Sequence, residues 1–467
     1  MDQLQGQAQG PASIASKVRG RLTDAAGAMR GDGLRARALR GSGWTLGGFG
    51  ASQVLRLVSN LILTRLLFPE AFGLMSLATV FMAGLQMFSD IGIRPSIIQN
   101  KRGEEVDFLN TAWTMQVIRG FVLWAAACAL AYPISRLYGS PILLPMLCVI
   151  GSTAAIRGFQ TTGYATKNRR IELGRLTLVE VCTNIAGIIV MVVWAYFQPT
   201  VWALVGGGVF SAILSVALGH VFLSTHTHRF DWDRSAVQEL VKFGKWIFLS
   251  SIVTFLAQSG DRALLPKVLG VTDLAYYSLA FVLSQMPIKI FKQLASKVLF
   301  PVYSEILARQ DTSKLRRVIG RFFVTSSPVF IFPLFMMFSS EWLIGFMYDA
   351  RYAATAGVLS ILAIGSYFAI LRAGQSGLLL AAGNSRGSLV INLTQAVAGL
   401  PLAAALGSEI GLEGFCVGIV VSEATAFLVQ RYLVRRTIGD VGGRWDSAAL
   451  SVLLAAVCLK SWLVISV

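Results

Sequence analysis

Residues 276–300 read YYSLAFVLSQMPIKIFKQLASKVLF, an apolar run of membrane length that carries three lysines. A hydrocarbon core is spanned by about 20 apolar residues in a helix. An ammonium at mid-bilayer costs about 3 kcal/mol on insertion scales. The stretch is therefore either no membrane helix, or a helix whose lysines face something other than lipid. The rest of the chain decides between them.

Of the 467 residues, 55% are hydrophobic and 14% are charged, where a soluble domain carries about 25% charged residues. Apolar runs of membrane length recur from residue 43 onward, which predicts an all-α polytopic membrane protein. Helices are expected at 43–66, 71–98, 109–132, 141–164, 174–196 and 200–224. A second set is expected at 243–266, 274–299, 318–346, 353–381, 386–406 and 411–434, with one more segment at 446–465. With the N-terminus inside, the inner loops hold 27 Lys and Arg, while the outer loops hold only Arg136, Lys267 and Arg351. That asymmetry assigns the N-terminus to the cytoplasm and requires a crossing at 274–299. The opening stretch is then a membrane helix, and Lys297 marks its inner end. The net charge of +17 follows from inner loops rather than from a nucleic-acid partner.

The expected organisation is a basic tail (1–42), a first lobe (43–224), a cytoplasmic linker (225–242), a second lobe (243–434) and an additional membrane segment (446–467). The tail lacks an apolar signal region and reads as a mobile basic segment near anionic headgroups. Cys128, Cys148, Cys182, Cys416 and Cys458 all fall in apolar segments without metal or CxxC spacing. The three histidines predict no metal site, and no cofactor is expected beyond an ion gradient of protons or sodium.

Sliding the chain by 202 residues pairs Trp44 with Trp246, Arg65 with Lys267, Leu67 with Leu269, and SLA (76–78) with SLA (278–280). The same shift superimposes the first two expected helices of each set. Six plus six helices in parallel topology imply two lobes related by an axis along the membrane normal, around a central cavity.

Eleven basic residues remain within or at the edges of helices, with sparse acidic company. At 100° per residue, Ser278, Gln285, Lys289, Lys292 and Ser296 fall on one stripe, and Pro287 predicts a kink. Helix one gives Thr45, Ser52, Arg56 and Ser59; helix two gives Gln86, Asp90 and Arg94; helix four gives Thr153, Arg157, Gln160 and Thr161. Helix seven gives Thr254, Gln258 and Asp261 beside Arg262. Arg94 is placed to pair with Asp90 at i,i+4, and Lys460 lies where snorkelling is the ordinary account. Arg56, Arg119, Arg157, Lys289 and Lys292 are the candidates for a water-filled cationic cavity. Asp90, Asp261, Arg262 and Glu423 are the candidates for ion coupling or gating. A cationic cavity selects a phosphorylated or acidic substrate over an organic cation.

LTRLLFPEAFGLMSLATVF (63–81) with SDIGIRPSIIQNK (89–101) resembles the N-terminal signature of polysaccharide-transporter, Wzx-type, flippases. These belong to the multidrug/oligosaccharidyl-lipid/polysaccharide exporter superfamily. DRALLPKVLGVTDLAYYSLAF (261–281), leading to KVLFPVYSEI (297–306), resembles the start of the second half of that family. The resemblance implies a two-lobed fold and alternating access at the bacterial inner membrane. The implied substrate is an undecaprenyl-pyrophosphate-linked repeat unit for exopolysaccharide, capsule or O-antigen. Partners implied are membrane lipids, the lipid-linked oligosaccharide, a polysaccharide polymerase, and chain-length and export proteins.

A multidrug exporter of the same superfamily would need an acidic cavity for organic cations, and a lipid-II-type flippase would share the basic one. A membrane polymerase or glycosyltransferase is disfavoured. The outer loops are short, and the nearest approach to a DxD pair, DWD at 231–233, lies in an inner loop. A transporter rather than an enzyme is expected.

Overall fold

The structure is a computed structural model, which describes residues 34–90, 92–224, 226–295, 299–309, 312–439 and 443–465. Ser296, Lys297 and the tail before residue 34 lie outside these. The described chain is all helix: α1 (Leu34–Leu66), α2 (Pro69–Phe88), α3 (Ile93–Gln99), α4 (Val106–Leu137), α5 (Leu143–Gly158), α6 (Gly163–Arg169), α7 (Leu173–Phe197) and α8 (Val201–Phe222). There follow α9 (Arg234–Val268), α10 (Val271–Leu294), α11 (Phe300–Ala308), α12 (Thr312–Thr325), α13 (Ser327–Met347), α14 (Thr355–Ala381), α15 (Ser385–Ile410), α16 (Leu412–Ile438) and α17 (Gly443–Ile465).

Among the described residues, nine helices are long and apolar enough to cross a membrane, and the bent pair α5–α6 makes ten. The helices α1, α9 and α17 are 33, 35 and 23 residues long, which also suffices to span. Within its apolar stretch α1 carries Arg56 and Arg65, and α9 carries Asp261, Arg262 and Lys267.

Several expected helices are interrupted. The expected 71–98 helix is two, α2 and α3, because Gly92 adopts a left-handed φ of 67° that cannot propagate an α-helix. Asp90 Oδ1 accepts the Gly92 N–H at 2.9 Å and fixes the turn. The expected 141–164 helix stops at Gly158 and bends by 59° into α6. The expected 318–346 helix breaks at Ser326, and α13 is non-helical again at Ser339. Conversely, α10 runs unbroken through Pro287 to Leu294.

The duplication read from the sequence reappears in the packing. The contacts α1 with α7, α2 with α5, α4 with α5, α5 with α8, and α7 with α8 each have a counterpart. These are α9 with α15, α10 with α14, α13 with α14, α14 with α16, and α15 with α16. The boundaries agree as well. Leu66 and Val268 end α1 and α9, Pro69 and Val271 begin α2 and α10, and the members of each pair are 202 positions apart. Ser76 and Ser278, themselves 202 apart, share a hydrogen bond of 2.6 Å. Repeat-equivalent residues that touch lie at the pseudo-two-fold axis, so this axis passes between α2 and α10. Gly73 allows the approach, since a Cβ there would stand 2.1 Å from the Val271 carbonyl oxygen. Tyr352 completes this end with its hydroxyl on the Leu67 carbonyl at 2.9 Å. Tyr138 donates to the Ala263 carbonyl at 2.8 Å.

The last helix, α17, packs on α13 and α14. Gln375 donates to both carboxylate oxygens of the buried Asp446 at 2.9 Å. Tyr367 donates to the Ala449 carbonyl, and Lys460 bonds the Met337 carbonyl and the Ser360 hydroxyl. Lys460 therefore does not snorkel; it hydrogen-bonds into the second lobe.

Candidate functional site: two cationic cavities

Each lobe encloses its own cavity. The first, of 490 Å³, is walled by Gln86 and Met87 of α2, Asp90, Arg94 of α3, Gln116 and Arg119 of α4, Arg157 of α5, and Gln160. Arg119 is held by the carbonyl of Gln86 at 2.8 Å and the hydroxyl of Ser89 at 3.1 Å. Gln86 lies in the last turn of α2, where carbonyls lack intrahelical partners. Arg94 does not pair with Asp90. The turn at Gly92 breaks the helical register that an i,i+4 pair requires, and Arg94 Nη2 instead meets Gln160 Oε1 at 2.5 Å and approaches the Tyr164 ring. The Arg157 guanidinium has neither a hydrogen bond nor an ion pair among the described residues. Three guanidinium groups thus face one carboxylate.

The second cavity, of 500 Å³, is walled by Gln258, Asp261 and Arg262 of α9 and by Phe281, Gln285, Lys289 and Lys292 of α10. Arg372 of α14, Gln395 of α15 and Glu423 of α16 complete it. Two pairs consume charge here. Arg372 lies 3.4 Å from Glu423, with Gln395 bridging the two at 3.1 and 2.5 Å. Arg262 lies 3.8 Å from Asp261, and covers the Phe281 ring at 4.6 Å. The buried Tyr277 hydroxyl donates to Asp261 Oδ2 at 2.5 Å, while Oδ1 has no hydrogen-bond partner among the described residues. Lys289 and Lys292 make neither a hydrogen bond nor a salt bridge among the described residues. They also wall a further chamber of 590 Å³, with Phe49 of α1, Leu299, and Gly374, Gly377 and Leu380 of α14.

These facts rearrange the expected constellation. Lys289, Lys292, Asp261, Arg262 and Glu423 come together in the second lobe. Arg119, Arg157 and Asp90 come together in the first, rather than in a single central cavity. Arg56 walls none of these spaces. It is exposed on α1. Arg94 and Arg372 wall these cavities as well, beyond the candidates that the sequence pattern offers.

Residues 62–356 match the family described as polysaccharide biosynthesis protein. The chain belongs to that family. This family member is 26% identical over 363 residues to the lipopolysaccharide biosynthesis protein WzxC of Escherichia coli (strain K12), covering 77% of this chain and 70% of that one. It is 22% identical over 434 residues to a putative O-antigen transporter of Shigella flexneri, covering 85% and 98%. In fold it is similar to the lipid II flippase MurJ in an inward closed conformation, with a TM-score of 0.69 and 15% identity over 88% of this chain and 91% of the other.

On the face where α2, α6 and α8 end, this polysaccharide biosynthesis family member knits its loops by charge. Arg102 pairs with Glu105 at 2.8 Å and Asp233 at 2.9 Å, and Arg170 pairs with Glu104 at 3.0 Å. The Arg102 guanidinium, with help from Ser235, holds the Asp233 carboxyl down at about 2. His226 and His228, without a metal-ligand group among the described residues, stack at 4.4 Å. Burial, with the neighbouring His226 and His220, lowers His228 to about 4.

Proposed function

We propose that this chain is a flippase. It moves a pyrophosphate-linked oligosaccharide, carried on a polyprenyl lipid, across the bacterial inner membrane by alternating access for surface-polysaccharide synthesis. The observation that carries this reading is the pair Lys289 and Lys292. Two ammonium groups without protein partners among the described residues sit inside a membrane-spanning lobe. They stand at the boundary between a polar cavity and a chamber with Phe49, Leu299 and Leu380 in its wall. A pyrophosphate fits both lysines as point charges, its lipid tail fits the chamber beyond, and its sugars extend toward the first-lobe cavity. Arg94, Arg119 and Gln116 there supply donors for hydroxyl and carboxylate groups.

The N-terminus is assigned to the cytoplasm. The 27-to-3 loop asymmetry supports this, as does the mutual ion pairing of loops given to the same side. The closed contacts at Ser76–Ser278 and Tyr352 support an outer side that is shut in this conformation. Asp261 and Glu423 are the groups best placed to couple an ion gradient. The cavities carry an excess of cations, which disfavours a multidrug exporter, and the chain is read as a transporter rather than an enzyme. The polymerase and the chain-length and export proteins are the expected partners.

The test is to delete the gene, identify the lipid-linked oligosaccharide that accumulates on the inner leaflet, and complement with wild type or Lys289→Ala/Lys292→Ala. Wild type is expected to clear the intermediate, and the double variant, present at equal level, to leave it. Normal polymer export by the double variant would remove the lysines from the site. Loss of viability with accumulation of lipid II would point to peptidoglycan instead.

A further inference from the structure

The segment between α8 and α9, which joins the two lobes, does not hang free. The backbone N–H groups of Arg229, Asp231 and Asp233 donate to Asn110 Oδ1, Thr114 Oγ1 and Thr111 Oγ1 at 3.3, 3.1 and 3.1 Å. All three acceptors are buried side chains of α4. Donors at every second residue are the pattern of an extended strand. Between these donors, Phe230 is 68% exposed and Trp232 is 53% exposed. At the near end, His228 Nε2 accepts the Thr162 N–H at 3.0 Å. At the far end, Asp233 is locked to Arg102.

Two exposed aromatics held side by side on a fixed strap favour an apolar or interfacial neighbour. The strap stands beside a lipid-facing surface, joined to it through the buried Trp113. The Phe230 ring meets Trp113 at 4.9 Å, Trp113 meets Phe159, and Phe159 meets Phe121. Phe121 is exposed on the outside of α4, and Val221 and Phe222 are exposed at the end of α8. Arg229 and Arg234 flank the aromatics and are exposed, with the exposed Asp231 between the two rings. Aromatic rings beside cations are the composition that settles in a headgroup layer with anionic lipids.

We infer that the interlobe segment is an interfacial strap. Its backbone is part of the first lobe, and its Phe230–Trp232 face docks into the phospholipid headgroup layer of the adjacent leaflet. The lobes then turn on one another through α9, not through a slack linker.

The test uses the full chain, with its native cysteines replaced, in liposomes of phosphatidylethanolamine and phosphatidylglycerol. A nitroxide is placed at Trp232→Cys, and another at Gln238→Cys on the exposed start of α9. Collision with oxygen and with a water-soluble nickel chelate is then measured. The label at 232 is expected to favour oxygen and the label at 238 the chelate. Equal chelate access at both sites, or low access to both reagents at 232, would overturn the inference, the second by placing protein on this face. Quenching by brominated lipid supplies the same reading without a cysteine. The intact chain should be quenched more than Trp232→Phe, and an unchanged quench would also overturn it.

Discussion

A cross-link at the pseudo-two-fold axis gives the sharpest test of alternating access in this chain. Ser76 and Ser278 have their hydroxyl oxygens 2.6 Å apart. A disulfide holds its Cα atoms about 4.4–6.8 Å apart, so Ser76→Cys/Ser278→Cys closes with little backbone movement. The five native cysteines are free thiols and are replaced first. A ligand needs about 5.5 kcal/mol of differential affinity to move an equilibrium from 1:99 to 99:1. A covalent link that cannot stretch past its own span exceeds that, so the outward-open state is lost. Export of the lipid-linked substrate in reconstituted vesicles is expected to fall to background on oxidation and to return on reduction. The single variants should be unaffected by either treatment. If the fully cross-linked protein, verified by thiol counting, exported at the reduced rate, α2 and α10 would not separate during transport and the gate assignment would fail.

Three further outcomes follow from individual contacts. Gly73→Val places a Cβ 2.1 Å from the Val271 carbonyl oxygen, an overpacking of about 1–3 kcal/mol, and is expected to lower the melting temperature in detergent. Arg372→Ala strands Glu423, whose side chain is 17% exposed. Breaking such a pair costs about 3–5 kcal/mol, and Arg372→Ala/Glu423→Gln should recover part of the loss in the same melting assay. His228 is lowered to about 4 by burial, against about 6.5 when free, so the undocked state binds more protons between these values. The strap should be fully docked above about pH 6.5 and loosen as pH falls toward about 4. Melting temperature should therefore drop more on acidification in wild type than in His228→Gln.

The membrane class, the loop alternation and the 202-residue repeat were legible because each depends on composition or period alone. The polar stripe on α10 was legible for the same reason, but not its division of labour: Ser278 meets α2, while Lys289 and Lys292 line the second-lobe cavity. Grouping the cations was not legible either. Whether Arg119 shares a space with Arg157 or with Lys289 depends on which helices pack, and period is silent on that. The place of Arg94 hangs on one residue: Gly92 at positive φ turns an expected i,i+4 partner of Asp90 toward Gln160. Arg372 stands on α14 among apolar residues with no stripe to announce it, and only the approach of α15 and α16 gives it Gln395 and Glu423. The strap was hidden because a loop of mixed polarity reads the same whether it is tethered or free. What fixes it is a set of side chains more than a hundred positions away.

One helix carries both the gate and the site. On α10, Ser278 meets α2 at the axis, while Lys289, three turns on, faces the second-lobe cavity. Eleven residues of helix place these about 16 Å apart on a rod, and Phe291, fully buried against Phe322 and Phe330, anchors its inner end to the second lobe. A ligand that binds the lysines differently in the two states must therefore bias the gate, and coupling of this kind is reciprocal. In the Ser76→Cys/Ser278→Cys protein, the rate at which the two introduced thiols form a disulfide reports the gate directly, with no need for turnover. In mild oxidant, adding purified lipid-linked oligosaccharide should change that cross-linking rate. Introducing Lys289→Gln/Lys292→Gln should abolish the response while leaving the rate without substrate close to its original value. If the response survived loss of both lysines, substrate would act on the gate through other groups, with the arginines of the first-lobe cavity next to be tested.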